Sequence, residues 1–369
     1  MKPASRRGSS AVTLADVAAL AGVSPITASR ALRGTRGVDP ALIERVKAAS
    51  TKLGYVPDPA ARALASRRGT YVAMLVPALS NALFVDLIEA AQATLRARGY
   101  QALLGITHYD PAEEEQVLRE FLQHRPAGLL LSGAEQTEAA RALVQASGAP
   151  CVHMMTLADR PGSHCVGLSQ FDAARAMTAH LQQRGYRRIV FVAAQLDART
   201  LQRLDGWRAQ MRAASLYDPA LEVATEAPSS IALGGDLFTR ILAEQPTADA
   251  IFFCNDDLAQ GALLAAARHG VAVPQRVAVA GFNDVVGSDQ MVPALTTVRT
   301  PRAEIGRRAA QLLLQLMDGQ TTAQPVIDLG FELVVRGSTG AVGRRSASPT
   351  SSMSPSCLGP PGAVNLTPC

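Results

Sequence analysis

The reading turns on residues 12–32, VTLADVAALAGVSPITASRAL. Thr13 is a good helix N-cap, and Leu14, Val17, Ala18 and Ala21 then recur at helical spacing until Gly22 stops the run. Ser24 is a second N-cap, with Pro25 at the first helical position where a missing N–H costs nothing, and PITASRAL carries a second helix to Leu32. Asp39 and Pro40 repeat that start signal for a third helix, ALIERVKAASTKLG, closed by Gly54. Two short helices across a Gly-Val-Ser turn, backed by a third, predict an all-α helix-turn-helix.

A recognition helix needs small polar groups at its start for phosphates and exposed side chains that reach base edges. SPITASRAL supplies both: Ser24, Thr27 and Ser29 for the backbone, and Pro25, Ile26 and Arg30 on the exposed N-terminal face. A bidentate Arg30–guanine contact is worth roughly 1–3 kcal/mol of discrimination. The alternative on spacing alone is ordinary helix surface with a solvated arginine. Charge points toward DNA as well. Residues 1–70 hold 12 Lys and Arg against 4 Asp and Glu, whereas the remainder holds 24 against 27, so only the head carries an excess that attracts a polyanion.

Residues 55–70, YVPDPAARALASRRGT, form a short linker, after which apolar runs alternate with amphipathic stretches. Strands are predicted at 71–76, 101–106, 128–131, 151–155, 189–193, 250–254 and 277–282, with helices between most of them, several closed by glycine. That alternation implies parallel sheets covered by helices on both faces, and about 260 residues of it imply two subdomains with a ligand cleft between them or at the carboxyl ends of the strands. Residues 339–369, rich in Ser, Pro and Gly, are expected to form a disordered tail. No apolar run is long enough to cross a membrane and the start does not read as a secretory signal, so a cytoplasmic protein is expected. The five cysteines form no CxxC pair; Cys151 and Cys254, inside apolar runs, read as reduced core residues, and no metal site is expected.

VTLADVAALAGVSPITASRALRG followed by VDPALIERVKAASTKLGYVPDPAARALAS resembles the lactose repressor family, and the resemblance runs to about Ser338. It implies an α/β core like that of periplasmic binding proteins behind the DNA-binding head. The implied boundaries are a basic arm at 1–11, the helix-turn-helix at 12–57, a hinge at 58–70 and an effector-binding core at 71–338 with crossovers near 170 and 299. Pro25, Ile26 and Arg30 fall at the family's base-reading positions, and Thr13, Leu14, Ser24, Thr27, Ser29, Arg33 and Tyr55 complete the contact set of the head. Leu64 matches the leucine inserted into the minor groove from the hinge, flanked by Ala61 and Arg62; read without the resemblance it is an amphipathic linker leucine. Two departures are Asp58 for the usual Asn before the hinge and Ala28 for the usual Val in the recognition helix.

In the core, the resemblance places Phe84, Arg203, Asn255, Asp256 and Asn283 at the effector cleft, with Arg199 and His153 as additions. Read singly, Asp256 is equally a helix N-terminal charge and Arg199 a loop charge. ASRALRG, HYDPAEEEQ, LDARTL, TPRAEIG and VIDLGFEL resemble the gluconate-operon repressors within the family, and a sugar acid suits Arg199, Arg203 and His153. His153, Thr156, Ser169 and Gln170 replace the acidic and Asp-Asn residues usual at their positions. The expectation is therefore a regulator, most simply a repressor. It acts as a homodimer on a pseudo-palindromic double-stranded DNA operator and is released by a sugar or sugar acid, with no cofactor. A sugar-binding protein without a regulatory role conflicts with the basic head. An enzyme lacks any GxSxG, HExxH, phosphate loop or defensible paired carboxylates, so no catalytic residue is assigned.

Overall fold

The computed structural model describes residues 12–32, 34, 37–56, 69–133, 135–157 and 162–340. The first three helices are α1 (Leu14–Ala21), α2 (Pro25–Leu32) and α3 (Pro40–Leu53). Thr13 and Asp16 cap α1 reciprocally, the Thr13 hydroxyl donating to Asp16 at 2.7 Å and the Thr13 amide at 2.8 Å. Gly22 ends the helix at φ 63°, a conformation that favours glycine. The shared core of the three helices is Val17, Ala18, Ala21, Ala28, Ala31, Val46 and Ala49, mostly alanines, which lets them approach closely. Ala28 is wholly buried there, so its departure from the family's valine is a matter of packing.

Beyond Gly69 the chain builds two lobes. The first holds β1 (Tyr71–Val76), α4 (Val85–Arg96), β2 (Gln101–Ile106), α5 (Pro111–Gln123), β3 (Gly128–Ser132), α6 (Glu138–Ser147), β4 (Cys151–Met154) and β5 (Cys165–Gly167). The second holds α7 (Gln170–Gln183), β6 (Ile189–Ala194), α8 (Ala198–Ala213), β7 (Glu222–Thr225), α9 (Ile231–Glu244), β8 (Ala250–Phe253), α10 (Asp256–Arg268), β9 (Ala278–Ala280) and β10 (Thr297–Arg299). The chain then returns to the first lobe as α11 (Arg302–Met317) and β11 (Val326–Asp328), and crosses once more as β12 (Glu332–Val334), which pairs antiparallel with β10. Both large sheets are wholly parallel, in the orders β11-β5-β4-β3-β1-β2 and β7-β6-β8-β9. Central strands buried on both faces explain the unbroken apolar runs: β6 is buried at every position.

The chain thus passes between lobes three times: after Gly167, after Arg299 and between Asp328 and Glu332. The third passage escapes sequence reading because β11 and β12 have three residues each, too few to show a period. The start of the tail also moves. Thr339 is wholly buried, sharing a hydrogen bond with Thr296 at 2.8 Å and contacting His180 at 3.1 Å, and the Gly340 carbonyl accepts from Tyr186, so both belong to the core. Residues 341–369 and 1–11 lie outside the described residues. No helix among the described residues is long and apolar enough to cross a membrane. Burial pushes the Cys151 and Cys254 thiols up to about 12, which keeps them protonated and unreactive.

Candidate functional site: a DNA-reading helix and an interlobe cleft

The first residues of α2 are shaped by Ser24, whose Oγ accepts the Thr27 amide at 3.2 Å and shares a hydrogen bond with the Thr27 hydroxyl at 2.8 Å. With Ala28 and Ala31 turned into the three-helix core, the helical period leaves Pro25, Ile26 and Arg30 exposed. Ile26 is 74% exposed, an apolar side chain at a helix start that supports no core and is free to meet a thymine methyl. Among the described residues no carboxylate lies within 4.0 Å of Arg30, so folding leaves its guanidinium available for a base or phosphate. Ser29 is half-buried and Thr13 is exposed, its hydroxyl engaged in the α1 cap. Leu14 and Tyr55 are half-buried against the core, which gives each a packing role whatever else it does. Arg33, Ala61, Arg62 and Leu64 lie outside the described residues.

The second site lies between the lobes. Asp197 caps α8, its carboxylate accepting the Thr200 amide at 2.8 Å and pairing with Arg199 at 3.1 Å. Burial pushes Asp197 upward, but Arg199, the Thr200 amide and Arg203 outweigh it and hold the carboxyl below its ordinary range. Arg199, though it starts from the second lobe, reaches the first. It donates to Ser132 Oγ at 3.2 Å, and its guanidinium stands 5.5 Å from the centre of the Phe84 ring and 6.0 Å from that of Tyr109.

Arg203, one turn further along α8, is 2% exposed. It donates to Gln170 Oε1 at 2.9 Å, to the Cys254 carbonyl at 2.6 Å and to Asn255 Oδ1 at 2.9 Å, with its guanidinium 3.8 Å from the centre of the Phe282 ring. Every one of those acceptors is neutral, and among the described residues no carboxylate lies within 4.0 Å of it. Burial pulls the Arg203 pKa down to about 10, opposed by the Asp197 carboxylate, which acts on it from beyond contact distance. Asn255 is held in turn by Asn283, whose Nδ2 donates to Asn255 Oδ1 at 3.2 Å and whose Oδ1 accepts from Thr300. A cavity of about 250 Å³ adjoins this cluster, lined by Tyr109, Asp110, Glu114, Ser132, Glu135 and Asp197 among others, and Arg199 closes one end. A second, far smaller cavity of about 10 Å³ shares Arg199 and Asp197 with it and is lined by Arg203, Asn255 and Asn81.

The structure thus brings together Phe84, Arg199, Arg203, Asn255 and Asn283, and separates two residues from them. Asp256 is 1% exposed and faces the opposite way, accepting from the Thr297 hydroxyl at 2.6 Å, the Val285 amide at 2.9 Å and the Ser288 hydroxyl at 3.0 Å. Burial pushes its pKa up to about 6, and the group ties α10 to the loop before β10 instead of facing a ligand. His153 lies on β4, where Val152 and Met154 take the inner face; its ring meets the Gly133 carbonyl at 2.8 Å and lines a different cavity of about 630 Å³ beside Cys151 and His164. It is not part of an acid site with the two arginines.

Tyr109, Asp197, Gln195 and Glu114 escape residue-level reading, although Tyr109 and Glu114 stand in HYDPAEEEQ and Asp197 in LDARTL. The missing signal is conformational. His108, Tyr109, Gln195, Leu196, Asn283 and Asp284 all have φ between 41° and 110°, a clustering of left-handed backbone at the strand ends around the cleft.

Comparison with known proteins finds matches to both parts of the chain. Residues 13–58 match the bacterial regulatory proteins of the lacI family, and residues 178–339 match a periplasmic binding protein-like domain. The chain is 54% identical to the HTH-type transcriptional regulator GntR of Pseudomonas aeruginosa, over 89% of this chain and 95% of that protein. The crystal structure of transcription regulator GntR from Chromobacterium violaceum superposes with a TM-score of 0.71 at 48% identity, covering 73% of this chain and 99% of the other. That of the lac repressor dimer bound to operator and the anti-inducer ONPF gives 0.80 at 25% identity, covering 90% of this chain and all of the other. The chain belongs to the LacI family of bacterial regulatory proteins and is a DNA-binding transcriptional regulator with an α/β periplasmic-binding-like core.

Proposed function

We propose that the chain is a homodimeric repressor of sugar-acid utilisation genes, acting in the cytoplasm and released from a pseudo-palindromic operator when a gluconate-like acid enters the cleft. One observation carries the effector class. Arg203 is a buried cation whose hydrogen-bond acceptors are all neutral, with Asp197 acting on it only from beyond contact distance, so a carboxylate delivered by a ligand adds the direct ion pair that the described residues do not supply. Asn255, Asn81 and Ser132 supply the neutral polar groups that suit hydroxyls, and the relatives named GntR are consistent with that class. One helix-turn-helix presents a small contact area, which favours two copies reading two half-sites.

The reading is tested by thermal shift and calorimetry of the full chain against gluconate and glucose. Gluconate is expected to stabilise, by about 2.7 kcal/mol at a hundred times its Kd, and glucose is not. R203Q is expected to abolish the gluconate shift. Stabilisation by neutral sugars alone rejects the acid class. An operator gel shift that strengthens on adding gluconate rejects release as the direction of control.

A further inference from the structure

Resting on the sugar-acid reading of the cleft, we propose that its two ends carry opposite charge, so that it selects polyhydroxy acids with one carboxylate over those with a carboxylate at both ends. The positive end is Arg203, 2% exposed and with no carboxylate within 4.0 Å among the described residues, lining a small cavity that shares Arg199 with the larger one. The far end is the wall of the 250 Å³ cavity formed by Asp110, Glu114 and Glu135. Among the described residues the one cation lining that cavity, Arg199, is already paired with Asp197 and is attracted by Glu135 as well.

Glu114 is the centre of that wall. It lies in the first turn of α5, where helix geometry turns it toward the cavity, and Oε1 of its carboxylate is buried with no hydrogen-bond partner among the described residues. Burial raises its pKa, opposed by a hydrogen bond from Gln136, and Glu135 adds a like charge nearby. A chain-like sugar acid that seats its carboxylate on Arg203 therefore projects its other end toward carboxylates. Hydroxyls suit that end because they donate to carboxylate oxygens. A second carboxylate meets like charge beside the buried Glu114 carboxylate, where repulsion is weakly screened.

The probes are gluconate and glucarate, six-carbon acids differing in the group at the far end, titrated calorimetrically into the full chain. Wild type is expected to bind gluconate more tightly by a factor on the order of ten. E114Q is expected to narrow that gap by strengthening glucarate, and E135Q, at an exposed position, to narrow it in the same direction. Equal affinities in wild type, or variants that weaken both acids alike, overturn the charged-wall proposal and leave the sugar-acid reading standing. If neither acid binds, the sugar-acid reading itself falls, and the proposal falls with it.

Discussion

Asp256 and Asn255 are neighbours with unlike tasks, and the difference follows from their partners. Asn255 meets Arg203 in the cleft, whereas Asp256 gathers two hydroxyls and an amide inside the second lobe, and a Cβ on Gly281 would stand 2.2 Å from its Oδ1. D256A strips those three donors of their acceptor, at a cost on the order of 3 kcal/mol in urea unfolding. The sign of its pH dependence is fixed by the raised pKa of about 6 against an ordinary 3.8. The native state holds its proton over a range where the unfolded state has lost it, so the stability that Asp256 contributes grows as pH falls from about 7 toward about 4. The cost of D256A is accordingly expected to be larger at about pH 5 than at about pH 7; a cost that shrinks on acidification contradicts a carboxyl buried in this way. Sequence neighbours at a strand end point to different sides, which is why a resemblance that assigns the whole junction CNDDLAQGA to the cleft cannot sort its members.

Among the elements, the legible ones are those whose signals are local. Thr13, Gly22, Ser24, Pro25, Asp39 and Gly54 mark the ends of α1, α2 and α3 within a residue or two, because caps satisfy the orphan amides of the same short segment. β5, β7, β10, β11 and β12 have only three or four residues, and their pairing is decided by partners far away in the chain, such as Val326 beside Cys165. His153 was misplaced for a related reason: β4 fixes which face it takes, and the face follows from the pleat of four residues. Helix contacts are equally non-local. α9 and α10 meet at Gly234 and Gly261, where an added Cβ on Gly261 would lie 1.9 Å from the Ile231 carbonyl and 2.9 Å from the Gly235 amide nitrogen. Helix propensity alone makes Gly261→Ala stabilising by up to about 1 kcal/mol. Backbone on the facing helix cannot yield as a side chain can, so overpacking at about 1–3 kcal/mol reverses the sign. A lowered urea midpoint is expected, and a raised one would mean that the two helices are free to separate.

At the scale of the molecule, regulation depends on whether the lobes move as units. Three chain passages join them, and Arg302 at the start of α11 adds a polar tie, pairing with Asp86 of α4 at 2.8 Å and donating to the Asn283 and Asp284 carbonyls of the second lobe at 2.5 and 3.1 Å. An acid held by Arg203 from one side and by first-lobe groups such as Ser132 from the other has different contacts in open and closed arrangements, which is the requirement for shifting their balance. Coupling of this kind is typically about 1–3 kcal/mol, or roughly 5–150-fold in affinity, and linkage makes it reciprocal. If gluconate weakens operator binding by a given factor, saturating operator must weaken gluconate binding by the same factor, measured by fluorescence anisotropy and by calorimetry on one preparation. R302A is expected to reduce both factors together, because Arg302 ties the lobes without lining the cleft cavities. A variant that binds both partners and leaves the common factor unchanged shows that the Arg302 tie does not bias the balance between the lobes.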